Sequence, residues 1–152
     1  MAFSHERLDV YRAAIEYVGW AHRLCMGLKG DQRSTKDQLL RASQSIPLNI
    51  AEGNGKVTEA DRRRYFEIAR GSTLECAAIQ DVLEVCDMLS HEQNLEAKKL
   101  LDRLVAMLTK LGQRGYTVHE SRDIYSSTDA DADARTDTDT GAENSRNGKR
   151  TR

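Results

Sequence analysis

Four stretches of the chain repeat apolar residues at intervals of three and four, the spacing that gathers side chains on one face of an α-helix. From about Ser4 to Leu28, one stripe holds Leu8, Tyr11, Ile15, Val18, His22 and Cys25, and an adjacent one holds Val10, Ala14, Tyr17, Ala21, Leu24 and Leu28. Two neighbouring stripes make the wide apolar face that a bundle helix needs. Gly27 and Gly30 are expected to end it.

A second helix begins between Asp31 and Lys36, where Asp31 and Ser34 are candidate caps. It carries Leu39, Ala42, Ile46 and Ile50 on one face, and Pro47 lies within it. The proline ring removes the bond to the Ser43 carbonyl. Because the apolar period continues to Ala51, a kink is predicted there rather than a stop. Gly53, Asn54 and Gly55 are expected to close the helix through left-handed dihedrals.

Thr58 caps a third helix, with Glu59 and Asp61 in its first turn. Its predicted seam is Tyr65, Ile68, Ala69, Ser72, Cys76, Ile79, Leu83 and Cys86. Ser90 and Gln93 form a capping box for a fourth helix. There Leu100, Leu104, Met107 and Leu111 make one stripe, Leu101, Val105 and Leu108 another, and Gly112 and Gly115 mark the end.

The connections are short, so consecutive helices should run antiparallel. The fold class predicted is all-α: an antiparallel up-down-up-down four-helix bundle over residues 1–118, its second helix kinked at Pro47. Over 119–152 the period fails. Asp-Ala and Thr-Asp repeats fill the stretch from Asp129 to Thr140, and no large apolar residue follows Tyr125. Such a segment cannot bury enough surface to offset its ordering entropy, so a disordered acidic and polar tail is expected. It reads as a solvating segment, with masking of a basic surface as the alternative.

Composition agrees with helices. The 152 residues include one proline and few aromatics. The formal net charge is −1. Through Tyr116 there are 17 Lys and Arg against 16 Asp and Glu, and beyond it 6 against 8. Neither part is basic enough as a whole to announce a nucleic-acid binder, so any such footprint must be local or built by repetition in an oligomer.

The three cysteines, Cys25, Cys76 and Cys86, are odd in number and without a CxxC spacing. They read as small buried apolar residues rather than disulfides or zinc ligands. No secretory signal or membrane-length apolar run is present, so a cytoplasmic protein with no membrane partner is expected.

Little in the sequence spells out a reaction. None of the four histidines has Glu or Asp three residues before it, which argues against the Glu-x-x-His metal sites common in bundle cores. There is no phosphate loop ending in Lys-Ser/Thr and no G-x-S-x-G elbow. His22, on an apolar stripe, reads as a packed histidine. No metal, cofactor or catalytic residue is predicted.

Two polar islands interrupt the seams: Ser45, Asn49 and Glu52 on the second helix, and Ser72 and Glu75 beside Gly71 on the third. An acid–base use of Glu52 or Glu75 would need a pKa raised by burial. The favoured reading is architectural. Gly71 would let two helices approach, while Asn49, Ser72 and the carboxylates satisfy each other and the carbonyl freed by Pro47.

The most suggestive charged stretch runs from Asp61 through Arg62, Arg63 and Arg64 to Arg70. Arg63 and Arg70 are seven apart and share a face, and Lys56 and Arg41 could join them. Arginine forks suit phosphates. Within one chain, pairing of Glu59 and Glu67 with Arg63, Glu67 with Arg70 and Asp61 with Arg64 would make this an ordinary solvated face. Repetition around an oligomer would change that balance.

The run Ser45-Ile46-Pro47-Leu48-Asn49-Ile50-Ala51-Glu52-Gly53, preceded by Gln38-Leu39-Leu40-Arg41-Ala42, resembles the signature of a small bacterial four-helix-bundle family. That family is named for proteins encoded in intervening sequences of 23S ribosomal RNA genes. A second block, Arg64 to Glu75, and the opening Phe3, Leu8, Val10, Tyr11 and Ala13 also fit it, so the resemblance covers about Phe3 to Leu111.

The resemblance implies four-helix bundles, several of which assemble as ring-like homopentamers, with no catalytic activity. It also implies kinship with accessory proteins of diversity-generating retroelements, which bind nucleic acid and the reverse transcriptase through a positive surface. The family's signature residues fall here on Ser45, Pro47, Asn49, Glu52, Gly53, Gly71, Ser72 and Glu75. Candidate nucleic-acid-binding residues, from composition alone, are Arg41, Lys56, Arg62, Arg63 and Arg70. The expected function is a non-enzymatic homo-oligomer, pentameric by resemblance, that binds RNA or DNA or a nucleic-acid enzyme such as a reverse transcriptase. The alternative is a protein-interaction scaffold that does not touch nucleic acid.

Overall fold

The structure is a computed structural model that describes the backbone of residues 2–28 and 33–126, with side chains as far as Gln113. A short 3-10 turn, Ser4–Arg7, precedes four helices: α1 (Asp9–Gly27), α2 (Arg33–Gly55), α3 (Glu59–Val85) and α4 (His91–Ser126). Among the described residues there is no strand.

The first helix expected from the sequence is thus divided. Leu8 is extended (φ −79°, ψ 126°) and separates the 3-10 turn from α1. The turn is fastened locally, since the Phe3 amide donates to Glu6 Oε2 at 3.0 Å and Arg12 Nε donates to the Glu6 carbonyl at 3.1 Å.

The cap of α3 and the capping box of α4 form as predicted. Thr58 Oγ1 accepts from the Asp61 amide at 3.1 Å. The Gln93 amide donates to Ser90 Oγ and the Ser90 amide to Gln93 Oε1, each at 3.2 Å. Each cap satisfies amides that have no carbonyl partner in a first turn.

The helix ends differ more. Asp31 and Gly30 lie outside the described residues, and Ser34 is the second residue of α2 rather than its cap. α2 continues through Gly55 in right-handed conformation, so Gly53, Asn54 and Gly55 do not use left-handed dihedrals. That conformation falls instead to Asp87 (φ 58°), just past α3, where the Met88 amide bonds back to the Leu83 carbonyl at 2.9 Å. α4 runs past Gly112 and Gly115 to Ser126. A glycine costs a helix only about 1 kcal/mol, too little to stop one by itself. The tail expected over 119–152 therefore begins on helical residues, and from 127 onward it lies outside the described residues.

Neighbouring helices meet in opposite sense. Ser45 of α2 bonds Ser72 of α3, whereas Gly53 further along α2 abuts Arg62, Tyr65 and Phe66 at the start of α3. On the other side, Asp81 near the end of α3 binds Asn94 and Lys98 near the start of α4. α1 packs on α2 and α4, which closes the four helices around one core.

That core contains Val10, Ala14, Tyr17, Ala21, Leu39, Ile46, Ile50, Phe66, Ala69, Cys76, Leu83, Leu101, Leu104 and Leu108. On α1 the second predicted stripe is the buried one. Ile15 and His22 point outward, so His22 is not a packed core histidine. On α3 the seam is rotated: Phe66, Thr73 and Gln80 are buried, while Tyr65 and Ser72 are half-buried and Ile68 and Cys86 are exposed. Cys25 and Cys76 are buried as predicted, and Cys86 is not because it caps the end of α3.

Candidate functional site

α3 carries the candidate chemistry because it packs on both α2 and α4 and turns a third face outward. On its α4 side, Arg63 and Arg70 line one groove of about 410 Å³, floored by Phe66 and Leu108 and edged by Thr109, Gly112 and Gln113. Their seven-residue spacing brings them together as the sequence predicts. Within this groove Arg63 Nε pairs with Glu67 Oε1 at 2.9 Å. Of the other expected pairs, Glu67 with Arg70 and Asp61 with Arg64 do not form. Arg62, Arg64 and Arg70 are exposed and make no ion pair among the described residues.

Lys56 and Arg41 do not join that groove. Lys56 Nζ lies 3.2 Å from Glu52 Oε1 and 4.7 Å from the centre of the Tyr65 ring. The hydrogen bond from Tyr65 and then that from Lys56 hold the Glu52 carboxyl below its ordinary range, while Glu52 raises the Lys56 ammonium. This is opposite to the direction a carboxylic acid needs to act as proton donor near neutrality. Glu52 belongs to a surface clamp on the α2–α3 turn.

Arg41 lies in a second groove, between α2 and α3, with Gln38, Ser45, Ser72 and Glu75. At its floor Ser72 Oγ stands 2.9 Å from Ser45 Oγ and 3.1 Å from the Ile68 carbonyl. Asn49 Nδ2 donates to the Ser45 carbonyl at 2.8 Å and to Ser45 Oγ at 3.0 Å. The polar network read from the signature is therefore real for Ser45, Asn49 and Ser72. Neither carboxylate joins it by a hydrogen bond: Glu52 turns to Lys56, and Glu75 is exposed.

Gly71 is not the point of close approach. A Cβ there would meet nothing within 4 Å, whereas one on Gly53 would lie 2.9 Å from Tyr65 Cβ, 3.1 Å from Phe66 Cε1 and 3.3 Å from the Arg62 carbonyl. Gly53 lets α2 close against the first turns of α3, and Pro47, earlier in the same helix, is buried too.

The outward face of α3 divides in two along its length. Its N-terminal part carries exposed arginines, with Arg62 and Arg64 on different sides of the helix and Arg63 and Arg70 toward α4. Beyond them Gly71, Leu74, Ala78, Val82 and Val85 recur at three and four on the exposed side, with Leu74 48%, Val82 52% and Val85 84% exposed. This second apolar stripe, opposite the core, was present in the sequence but hidden by the longer seam.

Two buried polar residues carry no sequence motif. Gln80 Nε2 donates to the Tyr17 hydroxyl, linking α3 to α1. Burial pushes the Tyr17 phenol upward and the neighbouring Cys76 thiol up to about 12. Asn94 Nδ2 donates to both Asp81 and Glu84 at the α3–α4 turn, where His91 Nδ1 also meets Glu84 at 2.7 Å. Gln80 sits four residues after Cys76 and three before Leu83, so seam spacing was the signal that could have found it.

Among the described residues no group of three or more His, Cys, Asp or Glu is placed to hold a metal ion, and no helix is long and apolar enough to cross a membrane. No curated protein matches the chain. A crystal structure from Bacteroides thetaiotaomicron, of a protein with unknown function from the S23 ribosomal protein family, shares the fold with a TM-score of 0.64. It is 21% identical, and the match covers 68% of this chain and 98% of that one. With the bundle and both signature blocks in place, the match of the family model over residues 6–110 places this chain in the 23S rRNA-intervening sequence protein family.

Proposed function

We propose that the protein is a non-enzymatic homo-oligomer, a five-membered ring by family resemblance, that binds RNA or DNA through phosphate contacts. The observation that carries this reading is the cluster of exposed arginines on the first half of α3, where Arg62, Arg64 and Arg70 have no ion pair among the described residues. One chain supplies few such contacts. A ring repeats them with each copy, so modest local charge adds to a continuous phosphate-binding surface. The exposed apolar stripe of Leu74, Ala78, Val82 and Val85 on the same helix supports self-association, because a face of this kind gains by burial against another chain.

Affinity for a single-stranded polynucleotide should fall steeply with salt, since each neutralised phosphate releases counterions. Fluorescence anisotropy over a salt series tests this, with Arg62→Ala/Arg70→Ala expected to flatten the slope. A flat dependence in the unmodified protein excludes the reading. Light scattering should give a mass near five times that of one chain, and Val82→Lys should lower it.

A second reading, a protein-interaction scaffold, is favoured by the apolar stripe alone. It requires a discrete mass with no polyanion binding at any salt concentration.

A further inference from the structure

The α2–α3 groove holds a feature that the arginine cluster does not explain. Its volume is about 550 Å³ and its walls are polar. Arg41 precedes Ser45 by four residues, roughly 6 Å along α2, and Glu75 follows Ser72 by three, roughly 4.5 Å along α3. The two helices run in opposite directions, so both offsets lie on the same side of the Ser45–Ser72 contact. Arg41 and Glu75 therefore stand nearly level across the groove. They do not close into an ion pair, and neither makes another among the described residues.

The floor can free one donor. Asn49 uses its amide hydrogens on the Ser45 carbonyl and Ser45 Oγ. Ser72 has one hydroxyl proton and two acceptors in reach, Ser45 Oγ and the Ile68 carbonyl. When that proton goes to Ser45 Oγ, the proton of Ser45 is left to point into the groove. In that arrangement the groove offers a guanidinium and a hydroxyl donor beside a carboxylate that only accepts.

A phosphate alone fits this poorly, because Glu75 repels it. A ribonucleotide fits, because its 2′-hydroxyl supplies the donor that Glu75 lacks. We propose that this groove takes one ribonucleotide unit of single-stranded RNA, with Arg41 and Ser45 on the phosphate and Glu75 accepting from the ribose 2′-hydroxyl, and so selects RNA over DNA. The inference rests on the nucleic-acid reading above and assigns its substrate class. DNA entering the groove meets the same carboxylate with nothing to donate to it.

The test is fluorescence anisotropy of the full chain with RNA and DNA oligonucleotides of one sequence at fixed ionic strength. The unmodified protein should prefer RNA about tenfold, the size of one hydrogen bond to a charged acceptor. Glu75→Ala should bring the ratio near one, by removing the 2′-hydroxyl bond from RNA and the carboxylate's repulsion from DNA. Arg41→Ala should weaken both. Glu75 and Arg41 are exposed, and circular dichroism verifies that each variant folds. Equal affinity for RNA and DNA in the unmodified protein, or a preference that survives Glu75→Ala, overturns the inference and leaves the nucleic-acid reading standing. Binding to neither overturns both.

Discussion

Gly53 on α2 and Tyr65 on α3 are so close that a methyl group added to the glycine would lie 2.9 Å from Tyr65 Cβ. The neighbours include the Arg62 carbonyl as well as side chains, so the helices themselves would have to separate. Gly53→Ala is expected to destabilise the fold by about 1–3 kcal/mol, the usual range for overpacking, despite the helix propensity that alanine adds. Gly71→Ala is the control. A Cβ there meets no atom within 4 Å, and the exchange should stabilise by about 0.5–1 kcal/mol. Denaturant midpoints of the two variants should move in opposite directions.

The Tyr17–Gln80 hydrogen bond is buried with Gln80 Oε1 left unpaired. Removing one partner strands the other. Gln80→Met leaves the phenol without its amide donor, and Tyr17→Phe leaves the amide with no acceptor. Each single change is expected to cost about 1–3 kcal/mol, and the double variant less than their sum, because an apolar pair has no polar group to satisfy. A double-mutant cycle by urea denaturation measures the coupling. Additive losses would show that the two side chains do not depend on one another.

Asp81 and Glu84 give the bundle an acid-sensitive turn. Lys98 first and Asn94 second hold the Asp81 carboxyl below its ordinary range, and for Glu84 the causes are Asn94 and then His91. A carboxylate lowered in the folded state contributes stability above its unfolded pKa and loses it as pH falls through the folded one. The loss should therefore begin near the ordinary carboxylate range, about pH 4, and grow below it. Asn94→Ala removes a donor common to both groups. Both carboxyl resonances should then titrate at higher pH by NMR, and acid unfolding should begin earlier.

Much of the fold was legible because it depends on local rules. Thr58 and Ser90 cap their helices through groups three residues away, and three-and-four spacing marks a buried face wherever it is continuous. The rotation of a face was harder to read. Ser72 and Thr73, Tyr65 and Phe66, or Ile15 and Ala14 differ by one residue in sequence, yet each pair is separated by about 100° around its helix. Which member is buried depends on where the neighbouring helices lie.

The candidate site was legible only in pieces. The spacing of Arg63 and Arg70 puts them on one face of α3, and both line one groove. Charge alone groups Arg41 with them, but it lies in the α2–α3 groove with Ser45, Ser72 and Glu75. Arg41 and Glu75, 34 positions apart, share a groove only when two helices pair in a particular register, and charge patterning carries no such information.

The sequence by itself determined that the chain is helical, where α3 and α4 begin and which family it belongs to, because capping, periodicity and signature blocks act within a few residues. Only the tertiary structure decided which stripe faces inward, that Gly53 rather than Gly71 is the close contact, and that Arg41 and Glu75 line one groove. Those outcomes depend on how one helix is rotated and shifted against another, and that is set by the packing of all four helices together.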